Sequence, residues 1–301
     1  MIVVVLPATI VKTQELEPIC VNGLIYFDEE CSDEYRRSRY WEAFFEYDHA
    51  SRWRPATRFK DNWNIEFVGL NDHNCFWDSD DSETNEVKLL QEAIRKLGGV
   101  YDDEEDWWVW EPKDYAIDEH TYALAELLII VTGQNMEIRG LSPPTWNAMI
   151  IRFDAMNNVE LHEMSHQFQC LHCSNFCVMN PTYIDLMWNW CGDCFNFIMN
   201  HREKWGYKQW LDIVDCSRDG HTVPEDGFIY QRVRGESVIV TATADCGLIF
   251  NCWLLDGVPY IDNPITVTMD SDHTLKAYFR FSDGGGGGGG RPPNPRSGEV
   301  T

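Results

Sequence analysis

Positive charge is scarce in this chain: 301 residues hold 24 Lys and Arg against 49 Asp and Glu, a formal net charge of -25. Such a balance repels a phosphate backbone and argues against nucleic acid as a partner. Long apolar runs are lacking too. The opening stretch Met1 to Val11 (MIVVVLPATIV) is apolar, but a membrane helix needs about 20 such residues. It also lacks the basic start of a full secretory signal. We read residues 1–16 as a remnant or atypical export signal, with a buried first strand as the alternative. Nor is the chain poor in core-forming residues. A hydrophobic fraction of 44% with 13 Trp, 12 Tyr and 15 Phe excludes disorder over most of a length that suffices for two domains.

Cysteine, by contrast, is plentiful: eleven residues. Cys173 lies close to Cys177 and Cys191 close to Cys194. Close pairs mean metal ligation or disulfides, and the redox compartment decides between them.

Asp33 to His49 carries aromatic residues at helical spacing, and Trp63 to Leu70 (WNIEFVGL) has the character of a strand. From Glu83 to Leu97, Val87, Leu90, Ile94 and Leu97 recur at spacings of three and four before Gly98-Gly99, which predicts an amphipathic helix with a C-terminal stop. Leu127 to Thr132 (LLIIVT) predicts a buried strand ended by Gly133, and Met149 to Phe153 another beyond the turn at Pro143-Pro144. Asn157-Asn158 can cap a helix from Val159 to about Phe168. Strands followed by a helix that bears a motif point to an α+β or α/β catalytic domain.

That motif is His162-Glu163-Met164-Ser165-His166, an HExxH sequence. Residues four apart share one helix face, so both imidazoles can reach one metal ion. Glu163 is displaced by about 100° around the helix. There it can act as general base towards a water that the metal activates. Leu161, Met164 and Phe168 fall on the other side as core anchors.

A third histidine, His172, follows ten positions after the first, and Met179 comes after it. This order resembles the metzincin clan of zinc peptidases, HExxHxxGxxH followed by a Met-containing turn. The resemblance implies an α+β fold with a mixed sheet and an active-site helix. It implies zinc held by His162, His166 and His172, Glu163 as base, Met179 as the Met-turn residue, and a peptide or protein substrate. It also implies a fourth coordination position open to water and substrate. Gln169 stands where the clan has Gly, at a turn costing about 1 kcal/mol or more for a residue with a side chain.

His172-Cys173, Cys177-Val178-Met179 and Cys191-Gly192-Asp193-Cys194 resemble the archaemetzincin family within the clan. That implies a second, structural zinc on Cys173, Cys177, Cys191 and Cys194; disulfides cross-linking the two pairs are the alternative reading. In the clan an edge strand above the helix pairs with extended peptide. The resemblance places that role on Leu128, Ile130 and Thr132, with Gly133 and Gln134 at the strand's end; a plain core strand is the other reading.

Two acidic clusters look like sites and are read otherwise. A calcium loop starting at Asp78 would need Gly at 83 and Glu at 89, where the chain has Glu83 and Leu89. Asp78, Asp80, Asp81 and Glu83 instead suit the positive end of a helix dipole. Asp102 to Asp106 reads as an acidic turn leading into Trp107, Trp108 and Trp110.

Beyond Trp210, Glu236 to Ala242, Ile265 to Met269 and Leu275 to Phe281 alternate in the manner of half-buried strands, with Asp256-Gly257 at a hairpin turn. Trp253, Asn263-Pro264-Ile265-Thr266-Val267-Thr268-Met269 and Ala277-Tyr278-Phe279 resemble a small β-rich repeat of bacterial and archaeal surface proteins. That implies an extracellular or cell-surface location and a surface partner. The expected organisation is a peptidase domain over 17–206, an all-β module over 208–281 and a Gly/Pro-rich flexible tail over 282–301. The expected function is that of a zinc endopeptidase. A non-catalytic surface or adhesion protein with a decayed metzincin domain is one alternative, and an archaemetzincin-like two-zinc aminopeptidase the other.

Overall fold

The computed structural model describes residues 16–45, 55–80, 85–155, 157–182, 184, 186–187 and 189–282. The apolar start, the expected helix beyond Phe45, Asp81, Glu83 and the glycine-rich tail lie outside the described residues. The chain has two compact units. One comprises residues up to Asp212 with Phe228–Ser237 and Thr268–His273; the other comprises Ile213–Gly227, Val238–Val267 and the residues from Thr274. Three pieces of the segment 208–281 thus belong to the first unit.

The first unit begins with strand β1 (Ile19–Asp28), helices α1 (Glu34–Phe44) and α2 (Pro55–Trp63), and strands β2 (Ile65–Gly69) and β3 (Phe76–Trp77). Helix α3 (Glu86–Lys96) follows, then β4 (Val100–Asp102), β5 (Trp107–Val109), β6 (Lys113–Ala116), β7 (Thr121–Ala125) and β8 (Leu127–Thr132). Next come β9 (Gly140–Leu141), β10 (Ala148–Arg152), α4 (Asn157–His166) and α5 (Gly192–His201). The central sheet has the order β2-β1-β8-β10-β9, with β3 on β1. Its pairs are parallel except β9 with β10, which is antiparallel. With mixed sheets and five α-helices among the described residues, the chain is of the α+β class.

Period-two alternation sends neighbouring side chains of each strand to opposite faces. Ile25, Phe27, Ile129, Val131, Met149 and Ile151 pack with Phe44 of α1, Phe59 and Trp63 of α2 and Leu161 and Met164 of α4. On the other face, Leu24, Leu128, Ile130 and Ile150 pack with Leu89, Leu90, Ala93 and Ile94 of α3. Covering both faces is why β8 is a continuous apolar run, with all six residues buried.

That arrangement corrects one expectation. Strand β8, with Leu128, Ile130 and Thr132, is paired on one side by β1 and on the other by β10. It has no free backbone edge to offer a peptide, and Gly133 follows an interior strand. The edge belongs to β9.

Local signals account for other boundaries. The side chain of Asn85 accepts the Lys88 N–H at 3.1 Å and caps α3; Gly98, at φ 89, ends it. Helix α4 contains Asn157 and Asn158 rather than following them, and it stops two residues before Phe168. Strands β4 and β5 form a hairpin around the acidic turn, with Asp106 at φ 61.

The second unit carries β12 (Gly220–Val223) antiparallel to β14 (Ser237–Ala244), and β15 (Leu248–Leu255) antiparallel to both β16 (Val258–Tyr260) and β18 (His273–Phe281). Strands β11 (Lys208–Val214), β13 (Phe228–Val233) and β17 (Ile265–Thr268) complete the set among the described residues. Asp256 at φ 50 and Gly257 at φ 83 close the β15–β16 hairpin, the primed turn for which Asp-Gly is suited. Trp253 is fully buried, with its ring centroid 5.4 Å from that of Phe250.

Candidate metal centre

Helix α4 is buried around almost its whole circumference, from Val159 to Ser165. A helix so enclosed is ordinarily apolar all round, yet this one carries His162, Glu163, Ser165 and His166. Its apolar side is fixed by aromatic packing. Phe168, just past its end, stacks on Phe59 at 5.3 Å. Trp190 meets Phe59 edge-on at 5.5 Å, and its indole N–H donates to Ser165 Oγ at 2.9 Å.

The chain reverses at Gln169, which takes φ 63. Its N–H donates to the His166 carbonyl at 2.8 Å, and the Cys170 N–H donates to that of Ser165 at 3.3 Å. The turn therefore forms with a residue other than glycine, in the left-handed region where a Cβ costs about 1–2 kcal/mol. It returns His172 to the helix.

Three imidazoles converge there. The Nε2 atoms of His162 and His172 are 3.0 Å apart, those of His162 and His166 3.1 Å, and those of His166 and His172 3.2 Å. His162 Nδ1 donates to the Val178 carbonyl at 2.7 Å and His166 Nδ1 to the Cys170 carbonyl at 2.6 Å. A carbonyl only accepts, so these bonds fix the tautomers of His162 and His166 and leave their two Nε2 lone pairs facing one another. Two lone pairs that face one another, with the His172 Nε2 beside them, offer a place for a cation. Tetrahedral zinc with Zn–N of about 2.0–2.1 Å would set ligand nitrogens about 3.3 Å apart, so the donor set fits such an ion.

Burial keeps the imidazoles neutral, as ligands must be. It drives His162 down to about 3, helped by the neighbouring His166, and His166 down to about 4. His172, partly exposed, is lowered for the same reason. Burial also pushes the Glu163 carboxyl up to about 8. Glu163 and His162 share a cavity of about 280 Å³ with His172, Gly140, Ile138, Val159, Pro181 and Ile184. Apolar walls with a few convergent polar groups are the usual make-up of a binding site.

Met179 is fully buried, and its carbonyl accepts the Cys173 N–H at 3.1 Å. That same loop brings Cys173 and Cys177 to Cys191 and Cys194, with the four sulfurs all within 4.8 Å of one another. The sulfurs of Cys173 and Cys177 are 3.1 Å apart and those of Cys177 and Cys194 3.9 Å, beyond the roughly 2.05 Å of a disulfide. All eleven cysteines are thiols in this structure. A tetrahedral Zn–S shell of about 2.3 Å places sulfurs about 3.8 Å apart, which suits a four-sulfur set. Burial raises Cys173 to about 11 and raises Cys194 as well. Burial acts on Cys191 too, but the Cys194 N–H and the Asn175 amide, 3.3 Å from its sulfur, outweigh it and hold the thiol down at about 7. A thiolate there sits at the start of α5, where the helix dipole favours it.

Sequence reasoning missed Gly140 and β9, and with them Val178 and Cys170, whose carbonyls orient the histidines. A two-residue strand leaves no alternation to read, and a carbonyl acceptor has no residue-type signature. At Asp78 and Asp80 the structure shows no ligand set: Lys96 Nζ donates to the Asp78 carbonyl and pairs with Asp80.

No family model matches the chain, and no curated protein matches it. Among solved structures, it is similar to the crystal structure of metalloproteinase-II from Bacteroides fragilis. The identity is 14%, over 63% of this chain and 55% of that one, at a TM-score of 0.39. The matched part spans little more than half of that protein, and a likeness of this size carries no assignment.

Proposed function

We propose that the chain is a zinc-dependent endopeptidase whose metal is held by His162, His166 and His172, with Glu163 as general base. The observation that carries this reading is the convergence of three Nε2 atoms at 3.0–3.2 Å beside a buried carboxylate. When bound, zinc would lower the pKa of a water towards about 7 and polarise the scissile carbonyl. Three protein ligands leave room for both. Glu163 takes the proton from the attacking water and hands it to the leaving amine.

An extended peptide would add to the outer edge of β9 by main-chain hydrogen bonds. One of its side chains would enter the cavity, whose walls include Ile138, Val159, Pro181 and Ile184 beside Glu137 and Arg139, with room for a medium-sized group. Cys173, Cys177, Cys191 and Cys194 would hold a second, structural zinc that pins the loop carrying Met179. The turn at Gln169 supports catalysis over decay, since the departure from glycine leaves His172 in the site. The apolar start and the β-repeat resemblance support an extracellular or cell-surface setting, with the β-module meeting a surface partner.

The test is cleavage of a peptide library by zinc-loaded protein beside Glu163→Gln. Loss of cleavage with zinc retained supports the reading, and equal cleavage by both would sink it. Peptides with blocked N-termini separate endopeptidase from aminopeptidase action, because only the former cuts them.

A further inference from the structure

We propose that Gly140 is the positioning residue of the general base: its missing side chain is the space in which the Glu163 carboxylate sits. A Cβ built on Gly140 would lie 2.7 Å from Glu163 Cγ, 2.8 Å from Oε1 and 3.0 Å from Cδ. Those three nearest atoms all belong to Glu163, so the closest conflict is with that one side chain. Gly140 has no positive φ that would itself require glycine. Its role is one of room, not of backbone conformation.

The backbone at Gly140 cannot retreat. It is paired with Ile151 of β10, and the neighbouring Arg139 carbonyl accepts the Arg152 N–H at 2.9 Å. From the other side, the Gln167 side-chain amide donates to Ser142 Oγ at 2.7 Å and to the Ala148 carbonyl at 3.1 Å. Gln167 directly follows His166, so the segment bearing the metal ligands grips the strand that walls the base. With the strand held at both ends, a methyl group at 140 can be accommodated only by rotation of Glu163 away from its place. Rotation of one side chain between staggered wells leaves the backbone pairing of the strand intact. For a base that must lie within hydrogen-bond reach of its proton, it costs the reaction much.

The inference rests on Glu163 acting as base, and the experiment separates the two. Gly140→Ala is expected to bind the same amount of zinc and to melt within about 2–3 °C of the parent, as a change well under 1 kcal/mol would. Its kcat should fall by about tenfold to a hundredfold with KM nearly unchanged, since a transition-state contact is what is lost. Glu163→Asp, one methylene shorter, should lower kcat in the parent. In the Gly140→Ala background it should cause no further loss, because the base is already displaced. An unchanged kcat in Gly140→Ala, or losses that multiply in the double variant, overturns the inference. A Gly140→Ala protein that fails to fold also overturns it, since the conflict would then lie with the fold.

Should the parent cleave no peptide, the endopeptidase reading fails, while binding of acetohydroxamate to the zinc-loaded protein still reports on the carboxylate. Weakening by about tenfold in Gly140→Ala, matching loss of one charge-assisted hydrogen bond, supports the placement, and equal binding overturns it.

Discussion

The two metal-capable clusters of the first unit lie a few residues apart in sequence and solve opposite problems. The histidine set offers three nitrogens, one of them on partly exposed His172, beside a cavity and a carboxylate. The cysteine set offers four sulfurs, two of them buried, and closes upon itself. Three donors leave a coordination position for chemistry; four leave none and act as a cross-link. One loop serves both: the Val178 carbonyl orients His162, while its neighbours Cys177 and Met179 belong to the sulfur side. The loop that carries two of the four cysteines thereby sets the orientation of one histidine of the other cluster.

The largest test of this contrast is Glu163→Gln. It should lower kcat by about 10²–10⁴-fold while zinc content, read by elemental analysis, stays unchanged. An equal loss of zinc would place Glu163 among the ligands and erase the difference between the sites.

Replacing Cys177 and Cys194 by Ser should destabilise the protein by on the order of 3 kcal/mol or more, because the proposed metal binding there would be folding free energy. His172→Ala should lose zinc with a much smaller change in melting temperature. Similar melting shifts in the two variants would mean that both clusters are structural.

A buried carboxylate outside both clusters sharpens the comparison. Glu126 is pushed up to about 7 by burial, against the pull of Lys208 Nζ at 2.9 Å. With its folded pKa above the unfolded value of 4.5, its contribution to stability is complete below pH 4.5 and is lost as pH rises through 7. The loss is at most about 3 kcal/mol at 1.36 kcal/mol per pKa unit. The decline in stability from pH 5 to 8 should therefore be shallower in Glu126→Gln than in the parent, with or without chelator. Slopes that differ only when zinc is present would tie this group to the clusters.

The smallest expected effect is that of Gln169→Gly, which relieves a left-handed residue and should stabilise by about 1 kcal/mol. Chemical denaturation reads this change. Destabilisation would show that the Gln169 side chain is itself part of the turn.

Some of this was legible in residue order. The spacing of His162, His166 and His172 named the site because a helix and one reversal can bring such residues together without knowledge of the rest. The buried run of β8, the helix ended by Gly98 and the Asp256-Gly257 hairpin were legible for the same reason: each is a local pattern with a local cause. The strand offered to a peptide was not. A six-residue apolar run has the same sequence at an edge as in the centre of a sheet, and only its neighbours distinguish them. Gly140 escaped for a related reason, since its neighbour Glu163 lies far along the chain.

The sequence by itself thus determined which side chains could hold metal and which carboxylate stands beside them, because helical geometry converts spacing into proximity. Tertiary structure alone decided which strand bounds the cleft, which carbonyls fix the imidazole tautomers, and whether four cysteines meet as one set or pair off. Those are contacts between distant segments, and packing, not periodicity, brings them together.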